Sequence, residues 1–128
     1  MSRSGYSGDC DGWELIRYRG MVASAIRGKR GQIFLKDLLQ ALDEMPVKKL
    51  IAQELETTDG VCALGALGRK RGIDMSDIEP SDAEIIASKF DIADCLAREV
   101  VFENDEYHYQ TPEERWKVMR GWVARQIK

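Results

Sequence analysis

Histidine is almost absent from this chain of 128 residues; His108 is the only one. Cysteine is sparse too, with Cys10, Cys62 and Cys95 and no Cys-x-x-Cys pair among them. A structural zinc site wants four Cys or His ligands, usually in close pairs. An odd cysteine count without a leader peptide argues against a disulfide framework. The reading is therefore no metal and no cofactor, with Cys62 and Cys95 as small core residues and Cys10 as a free thiol. No apolar run approaches the roughly 20 residues that cross a bilayer. Met1 to Cys10 is polar and carries no apolar leader segment. Neither membrane insertion nor secretion is expected. The net charge of −3 excludes a global basic field for nucleic acid.

What is present is enough for one domain over 1–128. Apolar residues make up 44% of the chain, which supports a real core and excludes a disordered polymer. Residues 1–10 are rich in Ser and Gly and read as a loose arm. A first helix runs from the cap Asp11 to about Arg27, with Trp13, Ile16, Met21, Val22 and Ile26 at ragged helical spacing. Gly20 inside it is read as a close approach between helices. Gly28 to Gly31 reads as a turn. A second helix, about Gln32 to Glu44, carries Ile33, Phe34, Leu35, Leu38, Leu39, Leu42 and Met45 as a wide apolar stripe, and Pro46 stops it. Residues 49–55 fit a short strand or a short helix, and Thr58-Asp59-Gly60 is a turn.

A third helix covers Val61 to Lys70 and ends at Gly72. Ser81-Asp82-Ala83-Glu84 is a capping box that opens a helix to about Ser88. Asp91 reads as the cap of the next, Ile92 to Glu103, which Asn104-Asp105-Glu106 terminates. Thr111-Pro112-Glu113-Glu114 is a strong helix start: cap, proline, then acids in the first turn. The helix it opens reaches the C-terminus. The predicted fold is all-α, an irregular bundle of five or six short helices, with one short strand near 49–55 as an option.

Charge is uneven along the chain. Residues 1–40 carry a net +3, residues 41–110 a net −9 and residues 111–128 a net +3. Basic ends that converge would give one basic face opposite an acidic one, a bipolar surface suited to a protein partner. The candidate binding residues are Arg27, Lys29 and Arg30, packed between glycines ahead of a helix, together with Arg115, Lys117 and Arg120. Backbone N–H groups at a helix start, with Lys and Arg beside them, hold phosphates; the alternative is an exposed turn. Arg69-Lys70-Arg71 sits at a helix end, where cations offset the dipole. A helix-turn-helix over 47–71 is disfavoured, because Val61 to Gly65 is too apolar to read base edges. Tyr107, His108 and Tyr109 could stack on bases or a partner, or pack on the bundle end. Trp116 and Trp122 point to different sides of the last helix. One of them is expected outside the core, which would favour a homodimer or a partner surface.

Three motifs carry a resemblance. They are Gly60-Val61-Cys62-Ala63-Leu64-Gly65-Ala66-Leu67, Glu103-Asn104-Asp105 and Thr111-Pro112-Glu113-Glu114-Arg115-Trp116. The chain resembles a broad group of small uncharacterised bacteriophage and prophage proteins with a Cys-x-x-Gly-Ala helix motif, an Asn-Asp element and a Thr-led final helix. Many of that group have two adjacent cysteines where this chain has Cys62-Ala63. The resemblance implies a phage or prophage origin and the host bacterial cytoplasm, and it assigns no catalytic residue. Two roles are open for the motif residues. Asn104 and Asp105 bind nearby backbone groups while Cys62 and Gly65 pack on that corner, or Cys62, Asn104, Asp105 and Thr111 share a pocket. The expected function is a non-enzymatic accessory protein that binds a host protein or complex, in the setting of host defence. The alternative is a nucleic-acid-associated module that contacts phosphates through its basic terminal segments.

Overall fold

A computed structural model describes residues 12–106 and 109–128. The expectations for the arm 1–10, for the Cys10 thiol, for the Trp13 side chain and for Tyr107 and His108 fall outside the described residues. Six helices follow in order: α1 (Gly12–Arg27), α2 (Lys29–Glu44), α3 (Ala63–Arg71), α4 (Ala83–Phe90), α5 (Asp94–Asp105) and α6 (Pro112–Gln126). Two strands of two residues each, β1 (Glu56–Thr57) and β2 (Gly60–Val61), form an antiparallel hairpin between α2 and α3. The fold is the expected all-α bundle with a minute hairpin, which lies just past the 49–55 window.

The apolar stripe of α2 makes it the central rod. Phe34, Leu35, Leu38, Ala41 and Leu42 are all buried, and α2 packs against α1, α3 and α6. Each Leu removed from water in this way stabilises the fold by about 1.5–3 kcal/mol. Phe34 meets Phe90 of α4 edge to face, with ring centroids 6.3 Å apart. On the far side α5 contributes Leu96, Val100 and Val101, and α6 contributes Met119, Trp122 and Val123. Trp122 is thus a core residue. Trp116 is half-buried, and its indole Nε1 donates to the Leu42 carbonyl at 3.1 Å. Neither ring stands free in solvent.

Several boundaries differ from the sequence reading, each for a physical reason. Gly28 alone separates α1 from α2, so the 28–31 turn shrinks to one residue and Gly31 lies inside α2. A Cβ at Gly31 would fall 1.9 Å from the Ala25 carbonyl oxygen. Glycine is needed there because the chain turns directly from α1 into α2 and brings Gly31 against the carbonyl of Ala25, six residues earlier. Gly20, read as the close approach, has nothing within 4 Å of its missing Cβ. Ile16 and Met21 are exposed, at 65% and 59%, while Val22 and Ile26 face inward. Ile33, read as part of the α2 stripe, also turns to solvent, because it lies on the side of α2 away from Phe34, Leu38 and Ala41.

Asp91 does not start α5. It closes α4 in the left-handed conformation (φ 56°), and Ala93 takes the cap position of α5 without a side-chain bond. Asp82, not Ser81, caps α4, accepting from the Ile85 N–H at 3.1 Å. Asn104 and Asp105 form the last turn of α5 rather than following it. Residues 47–55 are irregular, so no helix-turn-helix exists. Cys62 precedes α3 as its cap instead of lying within it. Thr111 caps α6 as expected, accepting from Glu114 N–H at 3.0 Å. Gly72 (φ 71°) ends α3 as expected.

Candidate functional site

The irregular segment 45–62 lacks a ladder for most of its backbone groups, and buried main-chain groups need partners. It borrows them. Leu50 N–H donates to the Pro112 carbonyl at 3.1 Å, and Ile51 N–H to the Val61 carbonyl at 2.9 Å. Gln53, at φ 69°, donates its N–H to Asp105 Oδ1 at 3.2 Å. Cys62 N–H donates to Leu55 O at 3.1 Å. Leu50 and Leu55 anchor the segment from inside, both buried.

Asn104 lies at the centre of this corner and is 1% exposed. Its Oδ1 accepts from Ala63 N–H at 3.1 Å, and its Nδ2 donates to Ile51 O at 2.9 Å and to Asp105 Oδ1 at 2.7 Å. Its own carbonyl accepts from Arg115 Nε at 2.8 Å. Cys62 Sγ accepts from Gly65 N–H at 3.4 Å, and Cys62 O from Ala66 N–H at 2.9 Å. Orphan donors at the start of α3 are thereby answered by Asn104 and Cys62. Gly65 is required by the same corner: a Cβ there would sit 2.0 Å from Leu55 O.

The structure therefore brings Cys62, Asn104 and Asp105 together, and it places the start of α6 against them through Pro112 and Arg115. Thr111 is adjacent but exposed, its hydroxyl turned to its own helix. The polar groups of Cys62 and Asn104 are aimed at main chain. This is the arrangement of a joint in which one loop and three helices meet.

The six candidate basic residues do not form a single set. The start of α2 and the end of α6 do converge, because the two helices lie antiparallel. Gln32 Nε2 donates to Ile26 O at 2.7 Å and to Gln126 O at 3.0 Å, and Lys128 N–H donates to Gln32 Oε1 at 2.9 Å. At the other end of the pair Trp116 meets Leu42, and Arg120 forms two bonds to Asp43 at 2.9 and 3.1 Å. Arg27, Lys29 and Arg30 thus sit near the C-terminal end of α6. Arg115 lies about 16 Å away along that helix, from eleven residues at 1.5 Å each.

Three of the six are engaged. Arg30 pairs with Asp91 at 3.2 Å, Arg120 with Asp43, and Arg115 stacks over the Tyr109 ring at 4.8 Å besides holding Asn104. Arg27 and Lys29, with Lys117, are exposed and have no carboxylate partner among the described residues. The Arg120 guanidinium, by its hydrogen bonds and charge, holds the Asp43 carboxyl below the usual carboxylate range. The Arg69-Lys70-Arg71 run acts as a clasp: its members pair with Glu56 (2.7 Å), Glu44 (3.4 Å) and Asp37 (2.7 Å) in turn.

Two features escaped sequence reasoning. Glu99 is fully buried in α5 and pairs with Arg19 of α1; its place between the apolar residues Leu96 and Val100 was the only signal. A groove of about 830 Å³ lies between the end of α2, the hairpin and α3, floored by Ala41, Val61 and Ala66 and rimmed by Glu44, Lys49 and Arg69. Among the described residues, no group of three or more His, Cys, Asp or Glu could hold a metal ion, and no helix is long and apolar enough to cross a membrane.

Set against known protein families, characterised proteins and solved structures, the chain matches none.

Proposed function

We propose that this chain is a non-catalytic interaction protein of phage or prophage origin. It acts in the host bacterial cytoplasm by binding a host protein or complex, with the defence machinery as the setting. The observation that carries this reading is the use made of the motif residues. Cys62 and Asn104, the residues best placed to build a pocket, spend their polar groups on the main chain of residues 51–66 and, for Asn104, on the neighbouring Asp105 carboxylate. Chemistry invested in holding a joint leaves the exterior as the surface that a partner meets. The phage origin is supported by the motifs around Cys62, Asn104 and Thr111, and the partner class by the uneven charge along the chain, basic in residues 1–40 and 111–128 and acidic between them.

The test is capture from host lysate with the full chain as bait, at low and moderate salt. A specific host protein, recovered at a fixed ratio and reconstituted from purified components, is the expected result. A stable, folded bait that recovers nothing above background in any host would remove the proposal.

A further inference from the structure

Among the described residues, Arg19, Arg30, Lys49, Arg69, Lys70, Arg71 and Arg120 each meet a carboxylate on another element. Lys29, Lys36, Lys117 and Lys128 belong to the exposed remainder, which also includes Lys48 and Lys89, and meet no carboxylate among the described residues. Helical phase puts Lys29, Lys36 and Lys117 on one side of the α2–α6 pair. At about 100° per residue, Lys29 and Lys36 lie within about 60° of Gln32 and Asp43, the two α2 residues that touch α6. On α6, Lys117 lies about 60° from Arg120, which grips Asp43, and Lys128 is tied to Gln32 through its N–H. The outward side of the α2–α6 seam is therefore a row of unneutralised lysines on two antiparallel rods.

The seam is not purely ionic. Ile33, between Lys29 and Lys36 on the outer flank of α2, is 56% exposed. On α6, Gly121 and Ala124 lie beside Lys117. A Cβ at Gly121 would meet only the flexible end of Arg125, at 3.3 Å, among the described residues.

We propose that the outward α2–α6 seam is the docking surface for an acidic amphipathic helix of a protein partner. This rests on the host-protein reading above and gives it a surface. Lys29 and Lys36 are two helical turns apart, about 10 Å, which matches carboxylates seven residues apart on a helix laid along α2. The small residues of α6 let its backbone come close, and Ile33 meets its apolar side, as in helix-in-groove recognition. A phosphate backbone would use the lysines and leave Ile33 and Gly121 without a role.

The probe is a synthetic acidic amphipathic peptide of about 21 residues, long enough to hold a helix, titrated into the full chain and followed by backbone amide NMR. Controls are a scrambled peptide of equal composition and a short DNA duplex. Amide shifts confined to 29–40 and 117–124 are expected. Affinity should fall at least about tenfold in K29E/K36E/K117E, and by less in the Lys→Gln triple variant. All three sites are exposed, so the variants keep the fold. Equal binding by the scrambled peptide, tighter binding by the duplex at the same amides, shifts on another face, a homodimer burying the seam, or no binding would each overturn the proposal. The lysate experiment separates the two readings. A host partner captured equally by wild type and K29E/K36E/K117E leaves the function and removes the seam. A docked peptide with no host partner leaves the seam and removes the function.

Discussion

The side-chain oxygen of Asn104 accepts a hydrogen bond from the main chain of Ala63, 41 residues earlier, while its amide nitrogen donates to Ile51, 53 residues earlier. One buried side chain thus serves the start of α3 and the loop before the hairpin together. Asn104→Ala would strand a buried donor and a buried acceptor, each worth about 1–3 kcal/mol when unmet. A loss of about 2–5 kcal/mol in urea unfolding is expected, with little change in the slope. Asn104→Asp keeps the shape but faces Asp105 with a second acid. Its deficit should be larger at neutral pH than near pH 4, where acids begin to protonate.

The glycines form a graded series. Gly65→Ala drives a methyl group against the backbone of Leu55 and should cost about 1–3 kcal/mol or more. At Gly68 the obstacle is the Met75 sulfur, 2.4 Å from the ideal Cβ. That side chain can move, so Gly68→Ala should cost less. Gly20→Ala meets nothing and gains helix propensity, stabilising by about 0.5–1 kcal/mol. Thermal melts of the three should therefore shift in two directions, with only Gly20→Ala rising.

These positions also show what the sequence could and could not reveal. The start of α6 was legible because Thr111, Pro112, Glu113 and Glu114 do their work within one turn. The α2 stripe was legible because its period is local. Asp91 misled because an Asp ahead of an apolar helix has the look of a cap, whereas its left-handed backbone ends the helix before it. Gly31 misled because its reason is the Ala25 carbonyl across a helix pair. Asn104 and Asp105 were recognisable as important, and as binders of backbone. Their partners at 51, 53 and 63 depend on a fold that brings distant segments together, which spacing does not encode. Lys36 was passed over because its neighbours on the seam come from α6.

The Asp43–Arg120 bridge gives a pH signature. Its hydrogen bonds lower the Asp43 pKa in the folded state. The stabilisation is then complete above the ordinary carboxylate range near 4 and is lost as pH falls through the lower folded value. Both side chains are largely exposed, so the effect on stability is small. Carboxyl NMR titration should find Asp43 below the ordinary range in the wild type and back within it in Arg120→Gln. No difference between the two would contradict the bridge.

Burial shields the described thiols. Cys62 is 1% and Cys95 6% exposed, and desolvation pushes the Cys95 thiol further up from its ordinary value. Iodoacetamide at pH 8 should leave both unmodified in the native protein, as read by peptide mass spectrometry. Labelling should appear only as fast as the chain opens. Rapid labelling of either site in the folded state would place it nearer the surface than described.

The joint around Asn104 also bears on how the protein is made. Asn104, Asp105 and Pro112 answer backbone groups of residues 50, 51, 53 and 63, so a nascent chain must leave the ribosome almost whole before that corner can close. Such distant closures are slow relative to local ones. Synthesis and folding are therefore separate events here. A polypeptide cut short before residue 104 would leave the tunnel with its hairpin loop unanchored and exposed to proteases.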